Sequence, residues 1–138
     1  MNRVFLLDTN VVSEPLRPKP RDRVLQRIWR HEGQIAIASV VWHELRYVLD
    51  RLPHSHRRDG YERYLNDIVL ATMLILDYDR VAAEWHARQR AHLVARGQTP
   101  PILDGQIAAV AAVNDLTLVT FNVDHFNRFH GLRVESWW

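Results

Sequence analysis

Five side chains far apart along the chain are of types that could handle a cation or a phosphate: Asp8, Glu44, Asp104, Asn122 and Asp124. Asp8 closes the run Val4-Phe5-Leu6-Leu7, whose apolar, β-branched and aromatic members read as a strand buried on both faces. Ligands of open parallel sheets are held at the carboxyl ends of strands. Asp8 therefore stands at the mouth of the sheet, with Thr9 and Asn10 behind it. Asp104 is delivered by the rigid loop Pro100-Pro101-Ile102-Leu103 and shares the spacing 0, 3, 4, 7 with Ile107, Ala108 and Ala111, which puts it on the core-facing stripe of a helix at its first turn. Asn122 and Asp124 follow a strand that ends at Thr120. Glu44 lies three residues after Val41 and four before Val48, at the margin of a helical stripe that faces the sheet or its rim.

Taken singly, each has an ordinary structural role. Asp8 and Asp104 suit helix caps, Asn122 and Asp124 suit turns, and Glu44 suits a solvated helix margin. Jointly they mean more. Crowded carboxylates repel, and burial makes each charge costlier, so such a group stays ionised when a divalent cation neutralises it. Oxygen ligands in a chain without cysteine select a hard cation, Mg²⁺ or Mn²⁺. One or two such ions can activate water and stabilise in-line displacement at phosphorus.

The elements that must position these groups alternate between strand and helix. Ser13-Glu14-Pro15-Leu16 reads as a short helix or turn, and Arg17-Pro18-Lys19-Pro20 breaks regular structure. A helix is expected over 22–31, with Val24, Leu25, Ile28 and Trp29 on one side and Gly33 as its stop. Ile35-Ala36-Ile37-Ala38 is a second buried strand. Ser39 then suits the N-cap of a helix to about Leu52, with stripe Val41, Leu45, Val48 and Leu52. A polar loop over 53–60 precedes a helix over 61–73 that presents Tyr61, Tyr64, Leu65, Ile68 and Thr72 on one face. Leu74-Ile75-Leu76-Asp77 is a third strand, and Asp79 caps a long helix over 80–95 that Gly97 ends. After the helix of Asp104 come a fourth strand, 116–120, and a fifth at the edge, 132–135. The alternation predicts one α/β domain over 1–138, a three-layer α/β/α sandwich with a mainly parallel sheet of four to five strands.

At 138 residues the chain can bury a core without staples, and its 47% apolar and 25% charged content is ordinary for a globular domain. The first strand starts within four residues and no signal-peptide pattern precedes it. No apolar run approaches the roughly 18 residues that span a bilayer. The expectation is a cytoplasmic protein with no membrane partner. Net charge is +2, yet Lys19 is the only lysine among 18 basic residues. Arginine's planar fork matches phosphate and carboxylate, so the chain suits nucleic acid or an acidic partner. Arg17, Lys19, Arg21, Arg57 and Arg58 are candidates to track an RNA backbone or to form a solvated basic face.

Four blocks in order carry a resemblance: Leu6-Leu7-Asp8-Thr9-Asn10-Val11-Val12-Ser13-Glu14, Glu44 within Val41-Trp42-His43-Glu44-Leu45-Arg46, Asp104 within Ile102-Leu103-Asp104-Gly105-Gln106-Ile107, and Val119-Thr120-Phe121-Asn122-Val123. The chain resembles the PIN-domain ribonucleases, and its length and Gly131-Leu132-Arg133-Val134-Glu135-Ser136-Trp137 ending resemble the VapC/FitB-type toxins of toxin–antitoxin pairs. The resemblance covers nearly the whole chain. It implies an Mg²⁺- or Mn²⁺-dependent endoribonuclease acting on RNA, an antitoxin partner and a homodimer. It assigns Asp8, Glu44 and Asp104 to the metal and Thr9, Asn10 and Thr120 to its support. The fourth acidic position falls on Asn122, which carries no charge; His125 stands where the family has an acid, and Asp124 precedes it. Asn122 and Asp124 both stay candidates for that place.

The same residues admit other readings. A haloacid-dehalogenase-like phosphatase would use Asp8 as nucleophile, but needs a second acid at Asn10 and a lysine in its site, and Lys19 lies in a proline-broken loop. A receiver domain fails for the same lack of a late lysine. His43-Glu44-Leu45-Arg46-Tyr47 misses the zinc pattern HExxH at Tyr47. A catalytically weak PIN-fold module that binds RNA or protein is the alternative; clustered acids would make it repel RNA.

Overall fold

The structure is a computed structural model that describes residues 2–138. Its centre is a five-stranded sheet in the order β3-β2-β1-β4-β5, and every paired strand is parallel. The chain runs β1 (Phe5–Leu7), α1 (Thr9–Val12), a 3₁₀ turn (Glu14–Leu16), α2 (Asp22–Arg30), β2 (Ile35–Ala38), α3 (Ser39–Arg51), α4 (His56–Tyr64), a π turn (Leu65–Val69), α5 (Leu70–Thr72), β3 (Leu74–Leu76), α6 (Arg80–Ala95), α7 (Ile102–Val113), β4 (Thr117–Val119), α8 (Val123–Phe126) and β5 (Val134–Glu135). The expected sheet of four to five strands is thus five, and parallel throughout.

Parallel strands need both faces covered, and the sequence supplies that. All four residues of β2 are buried, and Leu6 and Leu7 of β1 are fully enclosed; each buried leucine contributes about 1.5–3 kcal/mol. β1 sits in the middle, with Phe5 opposite Ile35 on one side and Thr117 on the other. The strand order runs outward from β1 in opposite senses, through β2 to β3 and through β4 to β5. The gap between the carboxyl ends of β1 and β4 is the switch point, where such sheets hold ligands.

The helices correct several expectations. Ser39 is the first residue of α3 and Ala38 takes the cap position; the Ser39 hydroxyl instead accepts the backbone N–H of Tyr78 at 3.4 Å. The buried stripe of α3 is Val41, Leu45 and Leu49, with Val48 exposed. Four-residue spacing drifts slowly around a 3.6-residue helix, so the stripe rotates off Val48. Trp29 is 67% exposed, and α2 buries Val24 and Ile28. The stretch expected as a polar loop over 53–60 is helical from His56, because the Ser55 hydroxyl caps the Arg58 N–H at 3.1 Å and Gly60 is tolerated within the helix. The expected helix over 61–73 is broken by the π turn, which seats Leu65 and Val69 in the core and turns Ile68 outward. Asp79 caps α6 as expected, accepting the Ala82 N–H at 2.9 Å. Gly97 ends α6 at φ +77°, with the Gln98 N–H returning to the Leu93 carbonyl and the Gly97 N–H to Val94.

Candidate active site

Asp8 follows β1 directly and is buried, 7% exposed. Its backbone N–H extends the sheet ladder to the Val119 carbonyl at 2.9 Å, which fixes the acid against the end of β4. Both carboxylate oxygens are engaged. Oδ1 accepts the Thr9 N–H at 2.8 Å, so the cap role is real, and Oδ2 accepts the hydroxyl of fully buried Thr120 at 2.8 Å. The Thr120 hydroxyl in turn accepts the Asn122 N–H at 3.0 Å. One hydroxyl thereby ties the turn after β4 to the acid after β1. Burial pushes the Asp8 carboxyl above its ordinary range, and the Thr120 and Thr9 hydrogen bonds pull it partly back.

Asp104 lies in the first turn of α7, which starts two residues earlier, at Ile102, and has no side-chain cap; the ordinary role of a cap is therefore not what holds Asp104 there. Burial raises its pKa, the negative charge of Asp8 raises it further, and His125 lowers it. The two acids and His125 thus share one field. His125 was not a sequence candidate for the site, although it stood out as occupying the acid's place in the fourth block.

The remaining candidates are placed less tightly. Glu44 is half-buried on α3, consistent with a helix margin. Among the described residues, no group of three or more His, Asp or Glu side chains is disposed to hold a metal ion. Carboxylates brought together without a cation repel, and a Glu on a helix margin is free to turn away. Asn122 and Asp124 are both exposed; Asn122 contributes its backbone to Thr120, and Asp124 sits in the first turn of α8. Asn10 is exposed on α1. The Thr9 hydroxyl is buried without a hydrogen-bond partner, one residue from Asp8.

Two features behind the acids were not anticipated. Gly105, next to Asp104, lies directly under the ring of His86 from α6; a Cβ there would come within 2.0 Å of His86 Nε2. His86 is buried, and its Nδ1 meets the Tyr78 hydroxyl at 2.9 Å. Burial, helped by Arg90, lowers the His86 pKa, and the neutral ring can accept the tyrosine proton. Since the Tyr78 backbone also bonds Ser39, this chain of contacts joins α3, α6 and α7, the helices that carry Glu44 and Asp104. The second feature is Glu14, fully buried, whose Oε1 receives Arg17 at 3.1 Å and Arg21 at 3.3 Å. Two of the expected RNA-tracking arginines are therefore engaged with an internal acid. Arg58 is also occupied, donating to the Leu52 carbonyl.

The PIN domain family profile matches residues 5–132: the chain belongs to the PIN domain family. It is 31% identical to the tRNA(fMet)-specific endonuclease VapC of Shigella flexneri over 96% of this chain and 97% of that one. It is 30% identical to toxin FitB of Neisseria gonorrhoeae, over 89% and 91%. The crystal structure of FitAcB from Neisseria gonorrhoeae superposes with a TM-score of 0.88 at 29% identity, covering 98% of this chain and 99% of that chain. DNA-bound VapBC from Salmonella typhimurium gives 0.85 at 28% identity, covering 99% of each. The chain is a homologue of ribonuclease toxins from toxin–antitoxin systems.

Proposed function

We propose that this chain is a divalent-metal-dependent endoribonuclease, the toxin of a toxin–antitoxin pair, that cleaves RNA phosphodiesters at the switch point between β1 and β4. The carrying observation is Asp8, buried at the carboxyl end of β1 and held through both oxygens by Thr9 and Thr120, with Asp104 in the first turn of α7 within reach of its charge. Mg²⁺ is commonly bound by one or two carboxylates with waters and substrate phosphate completing its shell, and this donor set, with the unspent Thr9 hydroxyl beside it, fits Mg²⁺ or Mn²⁺. Asp8 and Asp104 would hold the ion, and Glu44 would join them from α3. When bound, the ion supplies a neutralising charge and an activated water for attack at phosphorus. Thr120 fixes the Asp8 oxygen it bonds, and Asn122 orients Thr120 through its backbone. Asp124 is kept as a further polar group at the rim.

The test is RNA cleavage by wild type, Asp8→Asn and Asp104→Asn, each with Mg²⁺ and with excess EDTA. Both variants should lose more than the roughly 10–100-fold that removing an outer-shell partner costs. Wild-type rates in either variant, or undiminished cleavage in EDTA, would sink the reading.

We assign the antitoxin of this proposal to a groove of about 150 Å³ between α2 and the π turn, lined by Ile28, Trp29, Ile35, Ile68 and Met73 together with Glu32 and Thr72, with Trp29 and Ile68 exposed. The named structural relatives are complexes of this kind. Among the described residues no helix is long and apolar enough to cross a membrane.

A further inference from the structure

Arg21, Phe121 and Trp138 come from three separate places and meet on the carboxyl rim of the sheet. Arg21 stands at the start of α2, Phe121 follows β4, and Trp138 follows β5. The Arg21 guanidinium lies 3.5 Å from the centroid of the Trp138 ring and 5.1 Å from that of Phe121. The two rings sit edge to face, with centroids 6.3 Å apart. Phe121 is the residue next to Thr120, whose hydroxyl holds Asp8. Thr120 therefore connects the cluster to Asp8.

We propose that Arg21, Phe121 and Trp138 form a seat for one unpaired base of single-stranded RNA. The position of that base beside the reacting phosphate rests on the nuclease reading of Asp8 and Asp104; the seat itself does not.

Three observations support it. The Trp138 side chain is 60% exposed, an apolar plane offered to solvent where a base could stack. Arg21 is already oriented, because Nη1 is held by buried Glu14, and a guanidinium ordered in advance loses little freedom on binding. Its other nitrogens stay available as donors. The charge is also of the right sign. Arg17 and Arg21 both face the single carboxylate of Glu14, so this ion-paired group offers more cationic than anionic side chains to a phosphate. Aromatic planes joined to cationic groups are how proteins hold single strands, and stacking tolerates any base.

The experiment uses a fluorescein-labelled RNA decamer in EDTA, so that no strand is cut, with affinity read by anisotropy. Wild type is compared with Trp138→Ala and with Arg21→Lys, which keeps a cation beside Glu14 but removes the planar stack. The RNA is tested intact and with a single abasic position moved along it. Trp138→Ala should weaken binding roughly 5- to 150-fold, the range that loss of one stacked base produces, and Arg21→Lys should weaken it in the same direction. One abasic position should cost wild type a similar factor and cost Trp138→Ala nothing. Affinity within twofold of wild type in Trp138→Ala, a flat abasic scan, or no wild-type binding overturns the seat. Loss of antitoxin binding in Trp138→Ala with RNA affinity unchanged overturns it too, and gives the surface to a protein. If wild type binds as expected but Mg²⁺ elicits no cleavage, the nuclease reading fails and the seat stands.

Discussion

Replacing Gly105 by alanine adds one methyl group where α7 packs against His86 of α6. The new Cβ would lie 2.0, 2.5 and 2.8 Å from three atoms of the His86 ring, distances at which something must shift. His86 is only 5% exposed and is anchored through Nδ1 to Tyr78, so the ring cannot swing into solvent without breaking that bond. Overpacking of a filled core costs about 1–3 kcal/mol, and loss of a hydrogen bond adds about 1 kcal/mol. Alanine regains about 1 kcal/mol of helix propensity, so Gly105→Ala should cost roughly 1–3 kcal/mol net, a large part of the total of about 5–15 kcal/mol typical of a domain. Because Asp104 is the preceding residue, cleavage should fall as well. Urea denaturation of Gly105→Ala, His86→Ala and the double variant makes the assay a cycle. If the methyl and the ring compete for one space, the double variant should be more stable than the sum of the singles predicts, by about 1–3 kcal/mol. A Gly105→Ala variant as stable as wild type, or costs that add within about 0.5 kcal/mol, would refute the steric argument.

Other predictions follow from the same groups. Asp8 has a raised pKa, so its contribution to stability is fully present below the unfolded value of 3.8 and is lost as pH rises through the folded value; at neutral pH its charge is a liability. Asp8→Asn removes the buried charge but also an acceptor of the Thr120 hydroxyl, so it should flatten the dependence of stability on pH above 3.8 while abolishing cleavage, as read by calorimetry beside the RNA assay. His86 runs the other way: its folded pKa is lowered from 6.5, so its contribution is present above 6.5 and declines as pH falls toward the folded value. Denaturation midpoints measured downward from neutral pH should drop in that window, and His86→Gln should flatten the slope there. Thr120→Val removes the hydroxyl that donates to Asp8 Oδ2. It should weaken Mn²⁺ binding by about 10–100-fold, measured by titration calorimetry, with the fold unchanged by circular dichroism; unaltered affinity would show that Thr120 supports only the turn.

Which parts of this arrangement could be read from the chain depends on what holds each part. Asp8 and Asp104 were legible because each stands at a switch in periodicity, from apolar strand to polar turn or from proline loop to helix. The all-parallel sheet was legible for a related reason, since its strands are short unbroken apolar runs separated by helical patterns. Glu14 was not, because a Glu beside Pro15 in a broken stretch looks solvated; the signal was present in Arg17 and Arg21, which fold back to neutralise it. His86 hid within an amphipathic helix, although it shares the buried face of Ala82 and Leu93. Gly105 carried a sharper clue. A glycine inside a helix costs about 1 kcal/mol relative to alanine, and one placed beside a candidate catalytic acid asks for a packing reason. The π turn left no comparable trace, because it shifts which residues face the core without changing their types.

The same distinction explains why the three sequence-assigned acids differ in the folded chain. Asp8 is fixed by backbone and side-chain hydrogen bonds from two strand ends, and Asp104 by the close seating of the next residue beneath His86. Both are held by interactions that do not depend on a cation. Glu44 has only the phase of α3 to position it, and α3 buries Leu49 where the expected stripe had Val48, which turns Glu44 further from the stripe's centre. A third carboxylate drawn toward two partly buried ones meets their repulsion. The fold thus holds Asp8 and Asp104 by packing alone, and under the nuclease proposal Glu44 would be the carboxylate that a bound cation draws in.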